Sequence, residues 1–102
     1  MSDSSKLSAE ELKVLQEDFD KAAKKAPTLP DSVTNVEKLA LYGLFKQATV
    51  GEITDKTPKP GMFDIAGKAK FKAWTEKKGM DKVKAQKEYI ALVETLAKAH
   101  AK

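Results

Sequence analysis

Three side chains in the segment LYGLFKQATVGE, residues 41–52, carry chemistry at helical spacing: Tyr42, Phe45 and Lys46. At about 100° per residue they fall at i, i+3 and i+4 and leave one face of a helix, while Leu41, Leu44 and Ala48 occupy a different arc. One helix thus offers an aliphatic side to a core and an aromatic, cationic side to something else. The segment PGMFDIAGKAKFKAW, residues 60–74, adds Lys68 and Lys70, and Tyr89 follows later in the chain. Aromatic faces stack on a nucleobase, lysine ammoniums act as point charges toward phosphate, and a phenol donates a hydrogen bond. The set fits a flat, phosphorylated ligand.

The residues for catalysis are sparse. The chain has no cysteine, which excludes a disulfide framework, a thiolate metal site and a cysteine nucleophile. His100 is the sole histidine and lies near the end of the sequence, where fraying is expected, so no catalytic role is assigned to it. No HExxH, nucleophile elbow or Walker A loop occurs, the glycines are scattered, and the carboxylates sit at helix caps or beside lysines. The expectation is a binding protein without catalysis, metal or cofactor.

The elements that must position these residues are helices. Ser8 to Glu11 matches a capping box, and Leu12, Leu15, Phe19, Ala22, Ala23 and Ala26 follow at spacings of three and four, with Pro27 and Pro30 ending the first helix. Several N-cap residues between positions 31 and 35 precede a second helix that runs to about Val50 and stops at Gly51. The stretch 52–62 holds two threonines, two prolines and Gly61, a breaker density that predicts a long ordered connector. A third helix is expected from about Asp64, with Ala66, Ala69, Ala73 and Trp74 inward. A fourth is expected after Asp81, where Ala85, Tyr89, Leu92, Val93 and Leu96 repeat as one apolar face. No segment alternates as a strand, so an all-α four-helix bundle is predicted.

At 102 residues the chain suits one domain that buries roughly 65% of its unfolded surface. Residues 1–7 read as a frayed lead-in, and no apolar run approaches the length of a membrane span. The net charge of +4 mixes 19 basic with 15 acidic residues, far from a polybasic tail. A soluble, cytoplasmic protein is expected.

Two motifs then make the chain recognisable. KQATVG at residues 46–51, followed by PGM at 60–62, Asp64 and KAKFKAW at 68–74, resembles the acyl-CoA-binding protein (diazepam-binding inhibitor) family. FDKAA at 19–23 and EYI at 88–90 look like that family's first and fourth helices. The resemblance implies an antiparallel up-down-down-up bundle, 1–102 as a single acyl-CoA-binding domain, and a long-chain acyl-CoA thioester as ligand. It implies that Tyr42, Phe45 and Lys46 line the adenine and 3'-phosphate site, that Lys70 adds a phosphate contact with Lys68 nearby, and that Tyr89 closes the head-group site. The acyl chain would lie between the second and third helices and the start of the first, with Leu39 in contact. It further implies a monomeric carrier and pool former in lipid metabolism, with transient contact with acyl-CoA-using enzymes or membranes and no nucleic acid. The alternative is a basic helical module for anionic membrane or nucleic acid. Departures from the family pattern are Phe45 for tyrosine, Phe71 for tryptophan, a missing lysine near Pro27, and a connector two residues longer than usual.

Overall fold

Each helix begins where the sequence supplies an oxygen to satisfy the amides left free at a helix start. In the computed structural model, which describes residues 8–54 and 56–101, Ser8 opens α1 (Ala9–Lys25) with a complete capping box: Glu11 N donates to Ser8 Oγ at 3.1 Å and Ser8 N donates to Glu11 Oε1 at 3.0 Å. Thr34 and Glu37 repeat the device at α2 (Asn35–Thr49), settling which of the candidates between 31 and 35 caps that helix. Asp64 caps α3 (Ile65–Thr75) through Gly67 N at 2.9 Å, and Asp81 caps α4 (Lys82–Ala99) through Lys84 N at 3.0 Å. The lead-in expected at residues 1–7 lies outside the described residues, as does Asp55 in the connector.

The stops also have local causes. Pro27 does not break the chain abruptly after α1: Ala26–Thr28 form a 3₁₀ turn with the proline in its first turn, where a missing amide costs nothing. After α2, Gly51 takes φ 98°, a conformation that favours glycine, and its amide and that of Val50 both donate to the Lys46 carbonyl.

Pairings between helices fix their directions. Phe19 packs on Phe45 and Tyr89, Gln16 Oε1 accepts from Gln86 Nε2, and Ala22 and Lys25 share a groove with Ile90, Val93 and Glu94, so α1 and α4 run the same way. Gln47 reaches Met80 and Glu37 reaches His100, so α2 runs against α4. Leu39 faces Ala69 and Gln47 faces Trp74, so α2 and α3 are parallel. The result is an up-down-down-up four-helix bundle, with no strand among the described residues. Two parallel neighbours cannot be joined by a tight turn, which is why the connector before α3 is long.

The core runs through Phe19, Val33, Leu41, Leu44, Ala48, Ala85, Tyr89, Val93 and Leu96. Leu12 is 40% exposed and Leu15 half-buried, because the first turns of α1 overhang this core and meet only α4. On α3, Ala73 and Trp74 are buried and Ala69 half-buried, but Ala66 is exposed: α3 packs mainly against α2, and its first turn extends past the covered strip. Gly43 lets α2 and α3 meet, since a Cβ there would lie 2.5 Å from the Ala73 carbonyl oxygen.

Candidate ligand cleft

The end of α1, the 3₁₀ turn, the following loop, α2 and α4 enclose a cleft of 480 Å³. Its apolar lining comes from Ala23, Ala26, Leu29, Val33 and Leu41, and three rings complete it: Tyr42, Phe45 and Tyr89. The rings differ in burial. Tyr89 is only 4% exposed, and Phe45 and Tyr42 are half-buried. Phe45 stacks on Phe19 with ring centroids 5.8 Å apart and an 18° interplanar angle, and meets Tyr89 at 5.8 Å and 54°. Phe19 and Tyr89 close the trio at 5.1 Å. Burial pushes the Tyr89 phenol above its ordinary pKa, which keeps it neutral and a hydrogen-bond donor at physiological pH.

The face expected to carry Tyr42, Phe45 and Lys46 together is divided by the tertiary packing. Phe45 leans inward onto the α1 and α4 rings. Lys46 turns toward α3, its Nζ 5.0 Å from the centre of the Trp74 ring. Tyr42 stays at the cleft, and Lys70 crosses from α3 to place its Nζ 5.6 Å from the Tyr42 ring centre. Both lysines sit within cation–π range of a ring and bridge α2 and α3, Lys46 reaching from α2 and Lys70 from α3. Lys68 is exposed, and its side chain makes no hydrogen bond, ion pair or ring contact among the described residues. Leu39 lies in a separate groove between α2 and α3, with Val36, Ala40, Ala69 and Ala73. The start of α1, expected beside that groove, instead faces α4 through Val14 and Leu15 near Lys87.

Sequence reading did not pick out Lys38 and Asp31, the charged residues in the cleft lining. Lys38 had a signal: it precedes Tyr42 by four residues and so shares its face. Asp31 had none, since a loop residue acquires its neighbours only from the fold. Lys24 and Lys25, the lysines nearest Pro27 in sequence, are exposed and absent from the lining.

A buried polar lock holds the α3 side of the site. Gln47, 1% exposed, donates from Nε2 to the Met80 carbonyl at 2.7 Å and to Glu52 Oε1 at 3.0 Å, while its Oε1 accepts from Trp74 Nε1 at 3.1 Å. Trp74 Nε1 also donates to the Gly51 carbonyl at 3.0 Å, and Glu52 accepts from Gly79 N at 2.8 Å. The Gly79 amide, and next Gln47, hold the Glu52 carboxyl below its usual pKa. This lock ties the end of α2, the start of the connector, α3 and the turn before α4, and so sets where Trp74 meets Lys46.

His100 is not frayed. Its Nδ1 lies 2.8 Å from Ser32 Oγ and its Nε2 donates to Glu37 Oε1 at 3.0 Å. Serine, imidazole and carboxylate in series resemble a nucleophile, base and orienting acid. Here the carboxylate is already the N3 partner of the Thr34 cap, accepting from Thr34 N at 2.8 Å, and that amide is the leading cause of its lowered pKa. The group reads as a tether of the α4 end to the loop that walls the cleft. Among the described residues no cluster of His, Asp or Glu could hold a metal ion.

Comparison with known proteins gives a consistent family. The model for "Acyl CoA binding protein" matches residues 16–93. A Caenorhabditis elegans protein named acyl-CoA-binding protein homolog 1 is 60% identical over 78 residues, covering 76% of this chain and 88% of its own length. The crystal structure of Oryza sativa acyl-CoA-binding protein 2 superposes with a TM-score of 0.77 at 45% identity, covering 83% of this chain and 92% of that one. That of ACBP from Moniliophthora perniciosa gives 0.75 at 34% identity, covering 85% and 84%.

Proposed function

Because the chain belongs to the acyl-CoA-binding protein family, we propose that it binds a long-chain acyl-CoA thioester in the cleft and serves as an acyl-CoA carrier and pool former. The observation that carries this reading is that all the cleft-lining residues, from Ala23 to Tyr89, fall inside the 16–93 span matched by the family model. The adenine ring packs on Tyr42 and Phe45, the phosphates meet Lys46 and Lys70 with Lys68 and Lys38 at longer range, and the neutral Tyr89 hydroxyl donates toward the head group. Two apolar strips flank α2 and are the surfaces available to the acyl chain: the cleft wall at Ala26, Leu29 and Val33, and the α2–α3 groove at Leu39.

The energetics favour the joined ligand over its halves. Each buried methylene contributes about 0.8 kcal/mol, and much of the sum is offset by immobilising ligand and side chains. The lysines supply the remainder through phosphate contacts that free fatty acid lacks. Binding without chemical conversion is the role such a site suits, because the charged residues of its lining are Lys38 and Asp31, and the serine, histidine and glutamate that resemble a catalytic set serve as a helix tether. We take residues 1–102 as a single acyl-CoA-binding domain that acts as a cytoplasmic monomer. Among the described residues no helix is long and apolar enough to cross a membrane.

Isothermal titration with palmitoyl-CoA, with free CoA and palmitate as controls, tests the proposal. One-to-one binding to the thioester, far tighter than to either fragment and rising with chain length, is expected. Equal affinity for palmitate and palmitoyl-CoA, or no binding, would refute it.

A further inference from the structure

The four most exposed of the large apolar side chains lie at the end of the connector and the starts of α2 and α3. Phe63 is 90% exposed, Ile65 80% and Met62 75%, and Val36, 77% exposed, lines the α2–α3 groove with Ala69, one turn along α3 from Ile65. Their exposure is not forced by local backbone needs. Gly61 O accepts from Asp64 N at 3.1 Å, Phe63 O accepts from Ile65 N at 3.1 Å, and the Asp64 side chain caps α3, so the chain here is held by its own hydrogen bonds. The side chains are presented outward on a fixed support, and contiguous exposed apolar surface of this kind marks an interaction site.

The charge of the same stretch identifies what covers it. Residues 56–72 hold Lys56, Lys59, Lys68, Lys70 and Lys72 against one acidic residue, Asp64, a net charge of +4 that equals the formal net charge of the whole chain. The rest of the protein is therefore neutral on balance. All five lysines are exposed, and the Asp64 carboxylate is engaged with the Gly67 amide. Apolar tips flanked along the chain by exposed lysines match an anionic bilayer surface: the tips enter the boundary between head groups and acyl chains, while lysine stems reach along apolar surface and leave their ammoniums at phosphate level. Neither signal alone holds a protein firmly at a membrane, and the two together do. Nucleic acid would use the lysines but leave Phe63 and Ile65 in water.

We propose that residues 56–72, with Met62, Phe63 and Ile65 as inserting side chains, form a docking surface for an anionic lipid bilayer. Lys70 belongs both to this surface and to the edge of the cleft beside Tyr42, so docking would bring the cleft mouth to the membrane, where an amphiphilic ligand can be exchanged without crossing water. The inserting side chains stand apart from the cleft, since Met62, Phe63 and Ile65 are all absent from its lining.

Vesicle co-sedimentation tests this with the full chain, free of ligand. Vesicles of phosphatidylcholine and phosphatidylserine in equal amounts should carry the protein down, vesicles of phosphatidylcholine alone should not, and added salt should release it. The double variant Phe63→Ser/Ile65→Ser, which leaves the net charge unchanged, should bind about tenfold or more weakly, and so should Lys56→Gln/Lys59→Gln. Both should melt as the parent does and titrate palmitoyl-CoA as the parent does. Failure of the parent to sediment with the anionic vesicles, or sedimentation unaltered by both variants, would overturn the proposal. So would a concentration-dependent dimer in sedimentation velocity that the Phe63 and Ile65 changes abolish, because the patch would then be an interface between copies. Loss of palmitoyl-CoA binding by the parent would defeat the carrier reading and leave the vesicle result standing.

Discussion

Replacing Phe45 and Tyr42 in turn by alanine separates a ring that builds the site from a ring that waits in it. Phe45 touches Phe19 and Tyr89, both with centroids 5.8 Å away. Each such pair is worth about 0.5–1.5 kcal/mol beyond the area it buries. The half-buried ring itself adds about 1 kcal/mol of transfer free energy, half the low to middle range for a fully buried phenylalanine. Phe45→Ala should therefore cost about 2–4 kcal/mol, which for a domain of this size lowers Tm by about 10–30 °C. Tyr42 has no ring partner in the core, only the Lys70 ammonium 5.6 Å from its centre. That contact is worth about 0.5–1 kcal/mol and the half-buried ring adds about 1 kcal/mol, as at Phe45, so Tyr42→Ala should cost about 1.5–2 kcal/mol and lower Tm by about 6–16 °C, about half the loss at Phe45. Ligand affinity should rank differently, because an aromatic face stacked on a base contributes about 1–3 kcal/mol, or about 5- to 150-fold in Kd, and Tyr42→Ala removes such a face from a folded protein. Phe45→Leu, which retains apolar bulk, should recover much of the stability and little of the affinity. Circular dichroism melts and titration calorimetry on the same preparations read both quantities. If Phe45→Ala melts within a few degrees of the parent, or if Tyr42→Ala melts as low as Phe45→Ala, the division of the rings is wrong.

Gly43→Ala should gain about 1 kcal/mol of helix propensity and lose about 1–3 kcal/mol to the Ala73 carbonyl, which has backbone on both sides and cannot move aside, so a lower Tm is expected and a higher one would refute the close approach of α2 and α3. Gln47→Leu keeps the bulk but deprives the Met80 carbonyl of its donor, at a cost of about 1–3 kcal/mol; unchanged stability in urea would show that the lock is dispensable. The depressed pKa values of Glu37 and Glu52 fix the sign of the acid response. Their contribution is complete above the unfolded value of about 4.3 and is lost as pH falls through the folded values, so Tm should be flat above about pH 5 and drop below it, with a shallower drop in Glu52→Gln. An identical acid slope in that variant would remove Glu52 from the account.

Helix starts were legible because they are local: a capping oxygen and its amide are three residues apart at Ser8, Thr34, Asp64 and Asp81. The buried face of α4 was equally clear, since the period of 3.6 residues places Ala85, Tyr89, Val93 and Leu96 in one row before any neighbour is known. Composition and motif together sufficed for fold class and family.

Partnership between helices was beyond such reading. Helical geometry put Tyr42, Phe45 and Lys46 on one side of α2, but that side faces α1 and α4 along one edge and α3 along the other, so the three side chains part company toward Phe19, the cleft and Trp74. Asp31 entered the cleft and His100 became a tether by contacts across 60 or more residues for the histidine, which no local pattern encodes. Propensity, capping and periodicity act within a few residues and are written in the sequence one turn at a time. Which groups meet across the bundle is settled only when the apolar faces close on one another, and here that closure assigned each ring and each lysine its neighbour.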